Sequence, residues 1–423
     1  MSEAGRTTTT AFPRGTRTDH GLVRSSNLGL ILRHLREEGG RSRARIAAAT
    51  GLSKATASTL IADLLARGLV TEGELAREGA VGRPGLLVSL EHDRVRGIGV
   101  EINADYLAVV VVDLRGDVVS ETTHAIDIPN MTADEALDEV AHLLRPVLQS
   151  LAAAGRSVVG LCVAAPGTIE PASGQVRFAT NIGWQDVAVR AGLSARLGLR
   201  PDLIGVENDA KLGSIAAYAD IARDGIHDLI YVTGDVGVGA GIIADGVLLQ
   251  GHDGYAGEIG HLPLAPEEGP CRCGRTGCWE LSVGLPPFLR RAAAVDDPVR
   301  DPGRPLEERL GELRERALNR DPRTLDALAL TGAALGHGLS LVVDVVNPRA
   351  LVLGGYFAWF EEWFTASVDD VLRTRMIGRI AAPVQVSVSR LGLSAAARGG
   401  AHLALETVFD DPTVVEPLTP PST

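Results

Sequence analysis

Apolar residues near the start of the chain first recur at helical spacing and then give way to an extended pattern. This pattern predicts three helices, of which the second covers 43–50 and the third begins at the N-cap Ser53. Two extended pieces, 69–71 and 86–90, follow the third helix and flank a turn. Three helices and a two-stranded wing predict a winged helix-turn-helix over residues 21–92.

The first turns of the predicted third helix carry small polar side chains, and its bulky apolar residues begin only at Leu60. Small side chains let a helix approach the floor of a major groove, where hydroxyl groups and Lys54 can meet base edges and phosphates. An arginine of the second helix can contact phosphates, and Arg83 in the wing can enter a minor groove, although a structural role in the turn also fits Arg83. The candidate DNA-binding residues are Arg43, Ser53, Lys54, Thr56, Ser58, Thr59 and Arg83. The alternative is a helical bundle that serves protein contacts.

Strand and helix signals alternate from residue 93 to residue 409, which predicts an α/β body. Two weakly similar stretches, which begin near residues 97 and 232, suggest that the body consists of two related halves. We expect a disordered arm at 1–20 because that stretch is polar and has no periodicity, and a loose, proline-rich tail at 410–423.

Charge is spread unevenly along the 423 residues, whose net charge is -12. Residues 1–90 hold 13 Lys and Arg against 8 Asp and Glu (net +5), and the remainder holds 28 against 45 (net -17). A basic head on an acidic body suits a polyanion partner at one end, although chance variation of surface charge also fits. No apolar run reaches the length of a membrane span, so we expect a cytoplasmic, nucleoid-associated protein without a membrane partner.

Three cysteines and a histidine lie close together in the second half of the body. Three nearby thiols in a cytoplasmic chain indicate a metal rather than disulfides, and Zn²⁺ prefers four such ligands in a tetrahedron. Because all four positions are filled by protein, the sequence predicts a structural rather than a catalytic zinc; unrelated free thiols are the alternative. The predicted ligands are His261, Cys271, Cys273 and Cys278.

These residues resemble the ROK family (repressors, open reading frames and kinases), in particular its xylose-repressor-like branch. The resemblance covers nearly everything from Gly21 to Glu406. It is most specific in Gly257–His261, which reads GEIGH, followed by CRCGRTGCWE at Cys271–Glu280. The ENDA segment at Glu207–Ala210 and the Gly-rich turn at Gly237–Gly241 support it.

The resemblance implies an actin/hexokinase-like (ribonuclease H-like) body of two lobes around a cleft for a monosaccharide. Carboxylates and amides suit such a ligand because they can bond its hydroxyl groups and reject analogues that leave them unpaired. One ring nitrogen of His261 would bind zinc while its other side faces the sugar, so that zinc fixes the pocket wall. Without the resemblance, the Asn-Asp pair at 208–209 could equally be a helix N-cap. The implied sugar contacts are Gly167, Asn181, Asn208, Asp209, Glu258, His261 and Glu280.

In ROK kinases the residue that matches Asp209 is the general base that activates the sugar hydroxyl. The phosphate loops differ from the kinase pattern, however. Where kinases have Asp-x-Gly-Gly-Thr, this chain has EINAD at Glu101–Asp105, and where they have Gly-Thr-Gly-x-Gly it has DVGVG at Asp235–Gly239. We expect Asp105 and Asp235 to face the ATP oxygens and repel them, leaving little or no ATP binding.

The sequence therefore predicts a sugar-responsive transcriptional repressor of carbohydrate metabolism. We expect a homodimer or homotetramer that places two recognition helices on an inverted-repeat operator, and a neutral monosaccharide such as xylose or glucose whose binding alters the spacing of the heads. Two alternatives remain open: a sugar kinase that carries a DNA-binding head, and a DNA-binding regulator whose body binds no ligand.

Overall fold

The computed structural model describes residues 19–75, 86–377 and 383–418. The head is a winged helix-turn-helix, as predicted, and its antiparallel strands form a three-stranded sheet in the order β1-β3-β2. The wing tip, with the predicted DNA contact Arg83, lies outside the described residues. The elements of the head are α1 (Asp19–Glu38), β1 (Arg41–Ser42), α2 (Arg43–Thr50), α3 (Lys54–Ala66), β2 (Val70–Leu75) and β3 (Leu86–Leu90).

The core of the head is formed by apolar side chains that recur at helical spacing along its three helices. The turn between α2 and α3 depends on Gly51, whose φ of 72° suits glycine, and on Ser53, whose Oγ accepts a hydrogen bond from the backbone N–H of Thr56. The turn thereby fixes where α3 starts. Side chains of all three helices are buried in this core, among them Leu28, Ile31, Leu32, Leu35, Ile46, Leu60, Ile61 and Leu64.

Each lobe of the body contains a five-stranded sheet, and the two sheets share one topology. The first sheet has the order β11-β7-β4-β5-β6 and the second has the order β14-β13-β12-β15-β16. In both, the first three strands in chain order form an antiparallel meander, and the next two add in parallel beside the first strand. This repetition agrees with the two related halves expected from the sequence.

The first lobe carries two helices on one face of its sheet and a small sheet, β10-β9-β8, at the edge of the cleft. Its elements are β4 (Val95–Ile102), β5 (Tyr106–Val112), β6 (Val118–Ala125), α4 (Ala133–Ala153), β7 (Ser157–Ala165), β8 (Thr168–Glu170), β9 (Gln175–Ala179), β10 (Trp184–Val187), α5 (Val189–Leu197) and β11 (Ile204–Asn208).

Two helices, α6 (Asp209–Ile221) and α13 (Ala395–Asp410), join the lobes. The helix α13 packs on β4 and β7 of the first sheet, α6 packs on β12 and β13 of the second, and the two helices pack on each other. The second lobe contains β12 (Leu229–Gly234), β13 (Val238–Ala244), β14 (Val247–Leu248), α7 (Glu280–Val283), α8 (Leu285–Ala292), α9 (Leu306–Leu318), α10 (Pro322–Val346), β15 (Ala350–Gly355), α11 (Tyr356–Trp359), α12 (Glu361–Arg375) and β16 (Gln385–Val388).

Among the described residues, α10 alone has the length and apolar composition that a membrane span requires, and half of that apolar stretch is buried inside the protein. It packs against α8 and α12. Burial in the second lobe accounts for its composition.

The prediction of a loose tail from residue 410 is wrong for 410–418. The segment packs against the head, where Arg67 donates hydrogen bonds to the carbonyl oxygens of Thr413 and Val415 and the backbone N–H of Leu418 donates to Ala66. Proline removes backbone donors but leaves carbonyl acceptors, which these contacts use. A proline-rich composition is therefore compatible with an ordered end of the chain.

Candidate functional site

The two lobes enclose a cleft of about 490 Å³. Its walls come from the loop after β7, the start of α6, the turn between β12 and β13, and the segment 255–261. All seven sugar contacts implied by the sequence line this one cleft: Gly167, Asn181, Asn208, Asp209, Glu258, His261 and Glu280.

The start of α6 is tied to the loop after β7. Asn208 caps α6, accepting from the backbone N–H of Lys211 at 3.1 Å, and its Nδ2 donates to the carbonyl oxygen of Gly167 at 3.0 Å. A side chain at Gly167 would meet the backbone of residues 178–179, and its φ of 83° is a conformation that favours glycine. Asn208 therefore acts as the N-cap of α6 and also lines the cleft.

Carboxylates dominate the charge of the cleft. Burial, with a contribution from the charge of Glu258, raises the pKa of Asp209 to about 7. Burial also raises the pKa of Glu258, while His261 and Lys211 oppose that rise. A carboxyl group can accept hydrogen bonds from hydroxyl groups when ionised and can also donate one when protonated, which suits a polyhydroxylated ligand.

The predicted zinc ligands form one cluster beside the cleft. The candidate ligand atoms of His261, Cys271, Cys273 and Cys278 all lie within 4.8 Å of one another. Cys273 Sγ lies 3.6 Å from Cys278 Sγ, and Cys271 Sγ lies 3.9 Å from His261 Nδ1. Glycines between the cysteines, Gly274 (φ 88°) and Gly277 (φ 72°), turn the chain back on itself.

This donor set fits zinc. A tetrahedral ion with Zn–S bonds of about 2.3 Å places its sulfur ligands about 3.8 Å apart, close to the separations in the cluster. His261 directs Nδ1 to the cysteines, while its Nε2 lies 3.9 Å from Oε2 of Glu258 in the cleft. Glu280 likewise contacts both the cysteine cluster and the cleft: its Oε1 lies 3.0 Å from Cys271 Sγ, and its side chain lines the cleft.

The two former phosphate loops differ in where their acids lie. Contrary to the prediction, Asp105 does not line the cleft. Its Oδ2 accepts a hydrogen bond of 3.1 Å from Nη1 of Arg309 in a largely buried ion pair. Asp235 does line the cleft, and its Oδ1 is buried with no hydrogen-bond partner among the described residues. Burial and the charges of Glu101 and Asp209 hold the pKa of Asp235 well above its usual range.

A second, small cavity of about 10 Å³, roughly the room that one water needs, lies beside Asp209 and Asp235. The main cleft is itself lined by Asn103 and Ala104 of the first loop and by residues 235–239 of the second. Tyr106 fills the space adjoining the small cavity, with its hydroxyl oxygen 2.7 Å from Oε1 of Glu101 and 2.9 Å from the carbonyl oxygen of Leu393. The walls of this cavity are Glu101, Tyr106, Asp209, Tyr231, Thr233, Asp235, Gly355, Gly392, Leu393, Ala395 and Ala396.

On the head, the first turns of α3 present polar groups to solvent. Ser53, Lys54, Thr56 and Thr59 are exposed, and Ser58 is half-buried. Arg43 differs from its predicted role, because its guanidinium donates to both carboxylate oxygens of Glu72 at 2.8 Å and to the carbonyl oxygen of Ser58. It braces α2 against the wing and α3 instead of standing free for DNA.

Sequence reasoning missed three kinds of residue in or beside the cleft. The ammonium group of the buried Lys211 donates to Gln250 and to the carbonyl oxygen of Gly254, which holds the loop that leads to Glu258. Arg275 brings a positive charge to the lining, and Phe178 and Tyr255 add aromatic rings. A lysine in the apolar first turns of α6 is a signal that sequence alone offers, whereas the loop residues offer none.

A family model described as ROK family matches residues 97–407, and a model described as MarR family matches residues 29–80. The chain belongs to the ROK family. It is 26% identical to the xylose repressor of Bacillus spizizenii over 93% of this chain and 98% of that protein.

Solved ROK structures share the fold. A ROK transcriptional regulator described as a homolog of the E. coli MLC protein has a TM-score of 0.75 at 20% identity, over 92% of this chain and 97% of its own. A ROK glucokinase from Streptomyces griseus, in complex with glucose and AMPPNP, has a TM-score of 0.62 at 27% identity. That match covers 74% of this chain and 99% of the glucokinase. The ROK body is thus common to both, and the regulator match extends over the head.

Proposed function

We propose that this ROK protein is a sugar-responsive, DNA-binding repressor of carbohydrate metabolism. The observation that carries the proposal is the combination, in one chain, of a winged helix-turn-helix with a cleft that gathers seven residues suited to a sugar. Similarity to a xylose repressor over nearly the whole length of both proteins supports it. The repressor acts on DNA and therefore in the cytoplasm.

The effector is a neutral monosaccharide. Asp209, Asp235, Glu258 and Glu280 all line the cleft, against one guanidinium, that of Arg275. A phosphorylated or acidic sugar would find little compensating positive charge in this lining, whereas carboxyl groups, ionised or protonated, can bond the hydroxyl groups of a neutral sugar. Asn208 and Asp209 contribute from α6, and Glu258, His261 and Glu280 contribute from the opposite wall.

A structural zinc ion fixes that opposite wall. His261, Cys271, Cys273 and Cys278 would hold it, and it would supply four bonds that stiffen a segment with little secondary structure. His261 then keeps a fixed ring orientation, with Nε2 towards the sugar.

The body is not an active sugar kinase, although Asp209 occupies the position of the kinase base. The loop that holds phosphate in kinases carries Asp235 in place of glycine, and its carboxyl group is buried without a hydrogen-bond partner among the described residues.

DNA binding uses the exposed start of α3, with Ser53, Lys54, Thr56 and Thr59 towards the major groove and Ser58 beside them. A homodimer presents two such helices to half-sites about one helical turn apart. Closure of the cleft on the sugar shifts the heads and changes operator affinity, by a coupling free energy of roughly 1–3 kcal/mol.

The test is a thermal-shift screen of neutral monosaccharides and their 6-phosphates, followed by operator binding with and without each hit. A ligand at about 100 times its dissociation constant adds about 2.7 kcal/mol of stability, which the screen resolves. We expect a neutral sugar to stabilise the protein and to change its affinity for an operator duplex selected from a random-sequence pool. A protein that no sugar stabilises, or whose DNA affinity no sugar changes, contradicts the proposal.

A further inference from the structure

The helix α13 connects the sugar cleft to the DNA-binding head. Its first turn lies at the small cavity beside Asp209, where Ala395 and Ala396 form part of the wall together with Glu101. Its last turn lies against α1. With 16 residues and a rise of about 1.5 Å each, the helix spans about 24 Å.

The first half of α13 touches the cleft lobes backbone to backbone. A Cβ atom at Gly399 would overlap the carbonyl oxygen of Leu212 in α6, and one at Gly99 in β4 would overlap that of Ala397. Gly400 is seated against β7, where its Cβ would lie 3.1 Å from the carbonyl oxygen of Cys162. Because no flexible side chains separate these backbones, a shift of α6 has to move α13.

The helix α6 begins in the cleft itself. Asn208 caps it and binds the carbonyl oxygen of Gly167, Asp209 is its first residue, and Leu212 lies one turn further on. A ligand that bonds Asn208 and Asp209 therefore acts within one turn of the α6–α13 contact.

The far end of α13 holds the head through α1. The guanidinium of Arg36 pairs with Glu406 and stacks over the ring of Phe409, 4.0 Å from its centroid. Arg33 pairs with Asp410, and a Cβ atom at Gly29 would overlap the carbonyl oxygen of Phe409. The α1 backbone thus also lies directly on the last turn of α13.

The segment after α13 holds the end of the recognition helix as well. Ser25 Oγ donates to Asp411 Oδ1 at 2.8 Å, and Arg67, the C-cap of α3, donates to the carbonyl oxygen of Val415 at 2.7 Å. Both α1 and α3 are thereby attached to α13 and the residues that follow it.

We propose that α13 is the link that transmits sugar binding from α6 to the DNA-binding head, with the Arg36–Glu406–Phe409 contact as its coupling point. This inference rests on the proposed function and deepens it. Because α1 and α3 are held to one end of α13 and α6 to the other, the orientation of the head follows the position of α6. Weakening the contact of α13 with α6 or with α1 leaves sugar binding and DNA binding themselves intact, but sugar binding then no longer changes the affinity for DNA.

The first experiment compares Arg36→Gln with Arg24→Gln. Both changes remove one positive charge and one ion pair from α1, but Arg24 pairs with Asp63 inside the head and does not join it to α13. Operator affinity is measured by fluorescence anisotropy without sugar and with saturating D-xylose, D-glucose or N-acetyl-D-glucosamine, and sugar affinity by calorimetry.

We expect the active sugar to change operator affinity by about 5- to 150-fold in the wild-type protein and in Arg24→Gln, and by less than about 2-fold in Arg36→Gln. Sugar affinity should stay within about 3-fold in all three proteins. A full sugar response in Arg36→Gln overturns the inference while leaving the proposed function intact.

A second experiment needs neither sugar nor DNA. Gly400→Ala presses α13 away from β7 by a few tenths of an ångström, and Gly336→Ala introduces a similarly tight helical contact against Val371, away from α13. Amide hydrogen exchange in α1 should change by about 5-fold or more in Gly400→Ala and stay unchanged in Gly336→Ala. Unchanged exchange in Gly400→Ala overturns the inference. If the wild-type protein ignores every sugar, the proposed function fails, and this experiment still decides whether α13 couples the cleft lobe to α1.

Discussion

Asn208 Nδ2 lies 3.0 Å from the carbonyl oxygen of Gly167, so that the cap of α6 is fixed to the loop after β7. The bond joins two lining residues that are 41 positions apart in the chain. It holds the neighbouring Asp209 carboxyl group at the cleft in the absence of any ligand. A site that is formed before binding loses less conformational entropy when the ligand arrives.

Asp209→Asn is expected to weaken sugar binding and abolish the sugar response while leaving DNA binding intact. The amide keeps the shape of the side chain but loses the charge-assisted hydrogen bonds to sugar hydroxyls, which are worth roughly 1.5–3 kcal/mol. Calorimetry should therefore give a sugar dissociation constant about 10- to 150-fold higher. Asp202→Asn, on the surface of the same lobe, is the matched control. Equal loss of operator binding in Asp209→Asn, with folding preserved, would contradict this separation of roles.

MgATP is expected not to bind. Of the two acids expected to repel phosphate, only Asp235 lines the cleft, and it does so beside a cavity of about 10 Å³. Neither loop supplies a positive charge to phosphate, and the second places the carboxyl group of Asp235 where the kinase pattern has glycine. Calorimetric titration should give no heat at millimolar MgATP, and a coupled assay with D-glucose should give no turnover, whereas a ROK glucokinase run in parallel gives both. Micromolar binding would restore the kinase alternative.

The sequence predicted those features that depend on local patterns. Helical spacing and an N-cap located α3, and the GEIGH and CRCGRTGC segments located the cluster of candidate metal ligands, because the residues that define each feature lie close together in the chain. The two misassigned side chains depend on distant partners. Asp105 pairs with Arg309, 204 positions away, and Arg43 pairs with Glu72, 29 positions away. No local pattern reveals that a charged side chain will find such a partner and leave the surface expected for it.

Cys273→Ser is expected to remove zinc and to loosen the cleft wall. One of four tetrahedral ligands is lost, and the binding free energy of a structural zinc ion contributes directly to folding. We expect the zinc content to fall from one ion per chain and the melting temperature to fall by at least about 4 °C. Cys162→Ala, at a buried thiol outside the cluster, should keep its zinc. Unchanged zinc content and melting temperature in Cys273→Ser would count against a structural metal.

Lys54→Gln is expected to weaken binding to all duplexes alike. An exposed lysine in the first turn of α3 contacts phosphates, and neutralising one phosphate contributes about 0.9 to the slope of log affinity against log salt. Anisotropy titrations between 50 and 200 mM salt should therefore give a slope smaller by about that amount. Arg200→Gln, an exposed cation of the body, is the control for net charge. An unchanged slope in Lys54→Gln would contradict the proposal that the start of α3 contacts DNA.

Glu101→Gln is expected to stabilise the protein more at pH 8 than at pH 5. Burial raises the pKa of Glu101 to about 8, although hydrogen bonds from Tyr106 and Ala397 oppose the rise. The folded protein therefore keeps a proton that the unfolded chain releases above its ordinary pKa, so stability falls as pH rises from about 4.5 towards 8. The groups that face Glu101 are the hydroxyl of Tyr106 and the acids Asp209 and Asp235, and none of them supplies a positive charge.

Glutamine keeps the shape of the side chain and one oxygen that can face the hydroxyl of Tyr106, but it carries no charge at any pH. The difference in melting temperature between variant and wild type, measured by calorimetry at both pH values, should therefore be larger at pH 8. Glu307→Gln, at an exposed position of α9, should give the same difference at both. If the difference for Glu101→Gln does not grow with pH, Glu101 is ionised in the folded state, and the buried acids beside the cleft are compensated by a positive charge.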